Sequence, residues 1–419
     1  MRVRQLGLVT ATLLPLAVLV VLVVLVASCS SSSTPRGTFD EPTAPAPTST
    51  GAPATPPLGG TGDHRSVSVT FEGTVLAPNG VLPLSNALVY VTAQKPAAIP
   101  EGAYCDECVT LPDGTFAMSA ADGTYSFTTD MPKGPAFIVV QKGQFRRVRP
   151  VTIDKVGKLS IPKDDTTIPG KLDVAKGDDI PKMVVLKDST DFDRIDDSLS
   201  KLGIAGIEVR TDRSLLQNKA ELMKYHVVFV PCGNQDDPIT TDATAQQNMN
   251  EFVQAGGKLY VTDWSYEFVR QPFPGYLAWQ GETATLGSAA SGNEWDAPAT
   301  AADQGLADWL TATGDASFSV KGNWTKLTSI NTQTGLDEKG ASVVVTPKVW
   351  VTAQNGASSA ATPTTVSFQN KCGRVLFSTY HTESGVGGGG GSALLAQEKA
   401  LLYVLLEVGV CVGDRPGVH

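Results

Sequence analysis

Tyr225-His226-Val227-Val228-Phe229-Val230-Pro231-Cys232-Gly233-Asn234 decides the fold class of the larger half of this chain. Four consecutive apolar residues, halted by Pro-Cys-Gly-Asn, read as a strand buried on both faces, the kind a parallel sheet needs. Residues 183–186 read the same way upstream, and 258–262 and 374–379 do so downstream. Between them, 195–202, 215–223, 244–255 and 264–270 carry helical spacing, and 394–408 is a strongly apolar helix. Gly203 and Gly256-Gly257 close two of these helices. Strands alternating with helices over short connections predict an open parallel sheet covered on both faces, spanning 182–412.

In such sheets ligands bind beyond the carboxyl ends of the strands. Three tips stand there: Pro231-Cys232-Gly233-Asn234, Thr262-Asp263-Trp264-Ser265 and Tyr380-His381-Thr382-Glu383. With 225–233, Gly256-Gly257-Lys258-Leu259-Tyr260-Val261 and 373–383, this half resembles the class I glutamine amidotransferase-like superfamily and, within it, the ThuA-like proteins. The resemblance implies a flavodoxin-like sheet, and sets apart an insertion-like, Trp-containing region at about 285–360. Amidotransferases carry a nucleophilic cysteine on a glycine-flanked strand-to-helix elbow; here that slot reads Thr262-Asp263-Trp264-Ser265, without cysteine or flanking glycine. His381 and Glu383 keep the spacing of a base and its orienting carboxylate, but a base without its nucleophile is not a triad. Cys232 sits where the family places an oxyanion-hole glycine, so a relocated Cys232–His381–Glu383 arrangement competes with a structural cysteine.

Upstream, 66–154 shows short alternating runs at 67–71, 87–91, 125–127 and 137–140. Pro78-Asn79-Gly80, Pro112-Asp113-Gly114, Asp122-Gly123 and Lys142-Gly143 separate them, which predicts a small all-β sandwich. Gly73-Thr74-Val75, 83–89 and 121–127 resemble the carboxypeptidase regulatory-like (transthyretin-like) family, whose module has no catalysis of its own. Cys105-Asp106-Glu107-Cys108 lacks further cysteine or histidine in its unit for zinc, and reads as a loop disulfide, Cys105–Cys108. Phe145-Arg146-Arg147-Val148-Arg149 is either a solvated strand face or a contact for acidic partners. Residues 155–181 are polar and read as a linker.

The amino terminus gives the compartment. Arg2 and Arg4 precede an apolar run at 13–26 and then Ala27-Ser28-Cys29, which resembles a bacterial lipobox. Cleavage would make Cys29 the lipidated first residue, remove 1–28 and take the net charge from −9 to −11. The competing reading is an uncleaved membrane helix over 6–27, and both readings put the remainder outside. Ser30 after the cysteine resembles outer-membrane sorting in enterobacteria. Residues 29–65, rich in Ser, Thr and Pro, are expected to form a disordered tether. With 33 Lys+Arg against 42 Asp+Glu, the 419-residue chain has no clustered basic surface for nucleic acid.

A strand running up and a helix running down would return the chain to one end of the sheet, so Cys372 and Cys411 are expected to pair. That leaves Cys232 free at the binding edge. All six tryptophans lie at 264–350, and aromatic faces beside Asp, Glu and Asn suit sugar rings as well as a core. The expectation is a multidomain protein, β-sandwich then α/β, anchored in the cell envelope through lipid on Cys29. Its second domain binds a glycan or protein partner through Asn234, Asp263, Trp264 and His381, with no metal or cofactor. The alternative is an amidohydrolase-like enzyme using Cys232, His381 and Glu383.

Overall fold

Alternation builds the first half. In β1 (Ser66–Thr74), Val67, Val69 and Phe71 are buried while Ser66 and Ser68 face water. The computed structural model describes residues 66–106, 109–190, 192–289, 293–356, 359–382 and 393–407. Residues 1–65, including Cys29 and the stretches expected to be a signal segment and a tether, and also Cys108, Glu383, the glycines at 387–391 and Cys411 lie outside the described residues. Seven further strands follow β1: β2 (Leu88–Thr92), β3 (Phe116–Met118), β4 (Thr124–Pro132), β5 (Gly134–Lys142), β6 (Phe145–Ile153), β7 (Gly157–Ser160) and β8 (Asp178–Asp179). They form a three-stranded sheet, β4-β1-β7, and a five-stranded sheet, β3-β2-β5-β6-β8. Phe71, Val89, Phe127, Ile138 and Val140 fill the space between them.

Residues 155–181 are thus more than a linker. They supply β7, which runs parallel to β1, the short helix α1 (Lys163–Thr166), and β8, which pairs with β6. The basic run on β6 is neutralised from the same segment. Arg146 is paired with Asp179 at 2.6 Å, and Arg147 and Arg149 each reach Asp178 at 2.8 Å. These guanidiniums are mostly buried and paired within the chain rather than forming a freely solvated strand face.

The second half is mixed α/β. Its strands are β9 (Met183–Leu186), β10 (Glu208–Arg210), β11 (Val227–Val230), β12 (Lys258–Thr262), β13 (Leu277–Trp279), β14 (Trp295–Ala301), β15 (Phe318–Asn323), β16 (Leu327–Ile330), β17 (Gln333–Leu336), β18 (Ser342–Val345), β19 (Lys348–Ala353), β20 (Thr362–Asn370) and β21 (Gly373–Ser378). Nine of them make one sheet in the order β10-β9-β11-β12-β21-β20-β19-β14-β15. The first five are parallel, as the apolar runs predict. From β21 outward the pairing is antiparallel, so the sheet is mixed rather than all-parallel. The insertion-like region therefore supplies three strands of the main sheet: β14, β15 and β19.

Among the described residues the helices are few and mostly short: α2 (Ile195–Lys201), α3 (Lys219–Leu222), α4 (Ala243–Gln254), α5 (Glu267–Arg270), α6 (Gln304–Ala312) and α7 (Ala396–Glu407). Asp242 caps α4 by accepting the Ala245 N–H at 2.8 Å. Gly256, at φ +110°, ends it. No helix among the described residues is long and apolar enough to cross a membrane. Alternate residues of the parallel strands feed two cores. Val184, Val228 and Val261 face one; Val185, Phe229 and Tyr260 face the other. The second core is continuous with the interior of the sandwich, and Trp309 Nε1 on α6 donates to the Pro83 carbonyl at 2.7 Å.

Both expected disulfides are corrected. Cys105 is bonded to Cys372, with 4.9 Å between the Cα atoms. A cystine takes one partner, so this excludes both Cys105–Cys108 and Cys372–Cys411. The cause is long-range docking: the 93–106 loop reaches the amino ends of the parallel strands. There Lys258 Nζ meets Asp106 at 3.2 Å, and the Pro100 carbonyl meets His226 Nε2 at 2.9 Å. A Cβ on Gly256 would lie 1.8 Å from the Tyr104 carbonyl oxygen, so glycine is what lets this loop approach.

Candidate functional site

At the opposite, carboxyl end of the sheet, β12 ends at Thr262 and the chain turns at Asp263 into a short 3₁₀ turn and α5. Asp263 adopts φ +45°, a left-handed conformation costing a non-glycine residue on the order of 1 kcal/mol. The strand-to-helix elbow is therefore present, with a carboxylate at its apex. Asp263 is fully buried. Its oxygens accept the Trp324 N–H at 3.0 and 3.1 Å and the Thr325 hydroxyl at 2.8 Å. Both partners come from the segment between β15 and β16.

Cys232 follows β11 by two residues and His381 follows β21 by three, and both are at most 2% exposed. One potential ligand atom from each of Cys232, Asp263 and His381 lies within 4.8 Å of the others. His381 Nε2 is 3.3 Å from Asp263 Oδ2, an ion-pair approach without hydrogen-bond alignment. Both imidazole nitrogens are buried without a hydrogen-bond partner among the described residues. Such atoms are costly to leave unmatched, so they mark the place where a ligand atom is wanted.

Burial and mutual charge shift the proton affinities of all three residues. Burial pushes the Cys232 thiol up to about 11, the Asp263 charge adds to that, and His381 opposes it. Burial also pushes Asp263 up to about 6 against the pull of His381 and the Thr325 and Trp324 hydrogen bonds. Burial works against charge on His381, but Asp263 and Cys232 beside it hold the imidazole well above its ordinary range.

One acid missing from the sequence reading holds this geometry. Asp193, fully buried on the segment between β9 and α2, accepts the Thr262 hydroxyl at 2.6 Å and the Thr382 N–H at 3.0 Å, and also bonds the Thr382 hydroxyl. Thr262 Oγ1 in turn accepts the Cys232 N–H at 2.8 Å. The backbones beside Asp263 and His381, and that of Cys232 itself, are thereby tied to a single carboxylate. Arg213 is a second omission. It lies 2.9 Å from Asp237, donates to the Pro231 carbonyl and lies under the Phe268 ring. The only sequence signal for Asp193 was an acid just beyond a core strand on the binding edge.

Of the expected ligand-binding residues, Asp263 and His381 converge, and Trp264 stands beside them half-buried. Asn234 is exposed and donates its backbone N–H to Asp188, so it does not join the buried cluster. Trp264 packs against Trp324 at 5.1 Å and Phe192 at 5.9 Å, all three half-buried. Trp279, Trp309 and Trp350 are core residues.

No protein-family model and no curated protein matches the chain. Distant solved structures do. A cytoplasmic protein from Salmonella typhimurium aligns at TM-score 0.36 and 11% identity, over 54% of this chain and 97% of that one. PurLQS from Thermotoga maritima aligns at TM-score 0.32 and 12% identity, over 54% and 98%. A catalytic mutant of a GH42 β-galactosidase from G. stearothermophilus aligns at 0.30 and 15% identity over 55% of this chain, which spans only 30% of that protein. Likeness at this level carries no argument about activity.

Proposed function

We propose that this chain is a bacterial envelope lipoprotein, anchored at the outer membrane through Cys29, whose α/β half is an amidotransferase-like module that binds a glycan without turning it over. The carrying observation is the elbow: its apex holds Asp263, buried and bonded to Trp324 and Thr325, where a nucleophile must be exposed to substrate. The order of the five parallel strands, 2-1-3-4-5 in chain sequence, supports the flavodoxin-like reading of this half. The half-buried Phe192–Trp264–Trp324 face beside the site supports a sugar ring, which stacks its C–H face on aromatics.

The test is binding of envelope glycan fragments to the full chain and to Trp264→Ala and Trp324→Ala, each checked for native fold. Each substitution is expected to weaken binding about tenfold. Folded variants that bind every fragment as well as the parent would move the site elsewhere. The approach of Cys232 to His381 favours a second reading, an amidohydrolase-like enzyme using Cys232, His381 and Glu383. Amide hydrolysis abolished by Cys232→Ala would establish it in place of the first. Replacing Cys29 with Ala is expected to abolish lipid labelling, and unchanged processing of that variant would reject the anchor.

A further inference from the structure

We propose that Cys232, Asp263 and His381 form a binding site for a divalent, thiolate-preferring metal ion, with zinc the best match. The donor set is one sulfur, one imidazole nitrogen and one carboxylate oxygen, the mixture that zinc accepts in tetrahedral sites. With ordinary zinc bond lengths, a tetrahedral site needs ligand–ligand edges of roughly 3.3–3.6 Å. The His381 Nε2–Asp263 Oδ2 edge is already 3.3 Å, and the sulfur has to close by about an ångström at most.

The independent sign that a ligand belongs here is His381. The residue is 1% exposed, and neither ring nitrogen has a hydrogen-bond partner among the described residues. A metal at Nε2 gives that atom its partner and replaces its proton. The Cys232 thiol likewise gives up its proton on binding, and both protons leave to solvent. The surroundings are those of an oriented site. Thr325 and the Trp324 amide fix the Asp263 carboxylate, and Gln397 donates to the His381 carbonyl at 2.8 Å. Asp193 ties down the backbones through Thr262 and Thr382. Three protein ligands leave a fourth position for water or a bound group. This inference stands apart from sugar binding, since none of its ligands belongs to the aromatic face.

The test is titration of the chelator-treated full chain with cobalt(II), then competition with zinc. A thiolate-to-cobalt charge-transfer band is expected, displaced by zinc, and X-ray absorption of the zinc form should show a single sulfur with nitrogen and oxygen neighbours. Cys232→Ser should weaken cobalt binding roughly a hundredfold or more, and Thr325→Val about tenfold. Absence of the band in the parent, or its full retention in folded Cys232→Ser, overturns the proposal. If Cys232→Ser fails to fold, the parent's absorption spectrum decides: no sulfur, or more than one, places any metal elsewhere and overturns it.

Discussion

Asp193 is the residue on which the geometry of the site turns, because its carboxylate accepts from two threonines on different strand tips. Removing it leaves the Thr262 hydroxyl and the Thr382 N–H without their acceptor inside the protein. Asp193→Ala is expected to lower the unfolding free energy by about 3 kcal/mol in urea titration, and a loss under about 0.5 kcal/mol would refute this role. His226 makes a pH prediction. Its Nδ1 accepts the Lys182 N–H at 2.8 Å and its Nε2 faces the Pro100 carbonyl, so the folded state holds the neutral ring. Burial depresses its affinity for a proton. The unfolded chain then takes up a proton below about pH 6.5 that the folded chain refuses, so stability falls as pH falls, by at most about 1.4 kcal/mol per pH unit. His226→Gln should remove that part of the slope between about pH 6.5 and pH 5; an unchanged slope would assign it to other groups. Cys232, Asp263 and His381 were legible because each follows an apolar strand at once, and topology carries such residues to one edge. Asp193, Trp324 and Thr325 were not, since their partners lie tens of residues or more away in sequence.

Among the elements, the 93–106 loop and the turn that leads into β21 are joined by the Cys105–Cys372 bond. Non-reducing peptide mapping is expected to recover one cross-linked peptide carrying both residues. Recovery of Cys105 with Cys108, or of Cys372 with Cys411, would contradict it. Cys372→Ala should cost about 2–5 kcal/mol of stability. Sequence reasoning paired Cys105 with neighbouring Cys108, and Cys372 with Cys411 across one strand and one helix, because nothing local encodes the reach of a loop across to another unit. The same limit applies to strands. The parallel ones are apolar throughout and stand out, whereas β14 and β15 alternate small, polar and charged residues and lack an apolar run. The polar 155–181 segment concealed β7 and β8 for a related reason: both are short edge strands, and Asp178 and Asp179 are buried only because arginines meet them.

At the scale of the whole molecule, the interior of the sandwich runs without a break into one face of the nine-stranded sheet. The two halves are therefore expected to unfold together. All six tryptophans lie in the second half, so their fluorescence reports that half alone, while circular dichroism reports both. The two signals should trace one coincident urea transition, and separated midpoints would show independently stable halves. Limited proteolysis should spare 155–181, because β7 and β8 are paired there; early cleavage in that segment would count against this packing. The bond at the amino ends of the strands also imposes an order on biosynthesis. Its two sulfurs are separated by 267 positions, so Cys105 leaves the ribosome long before its partner exists. Through that interval the nearest thiol is Cys108, three positions on. A chain maturing in an oxidising compartment can therefore acquire a short, wrong loop first and must exchange it when β21 arrives. On this view thiol–disulfide isomerase activity in the host, rather than oxidising power alone, governs how much of the finished protein is obtained.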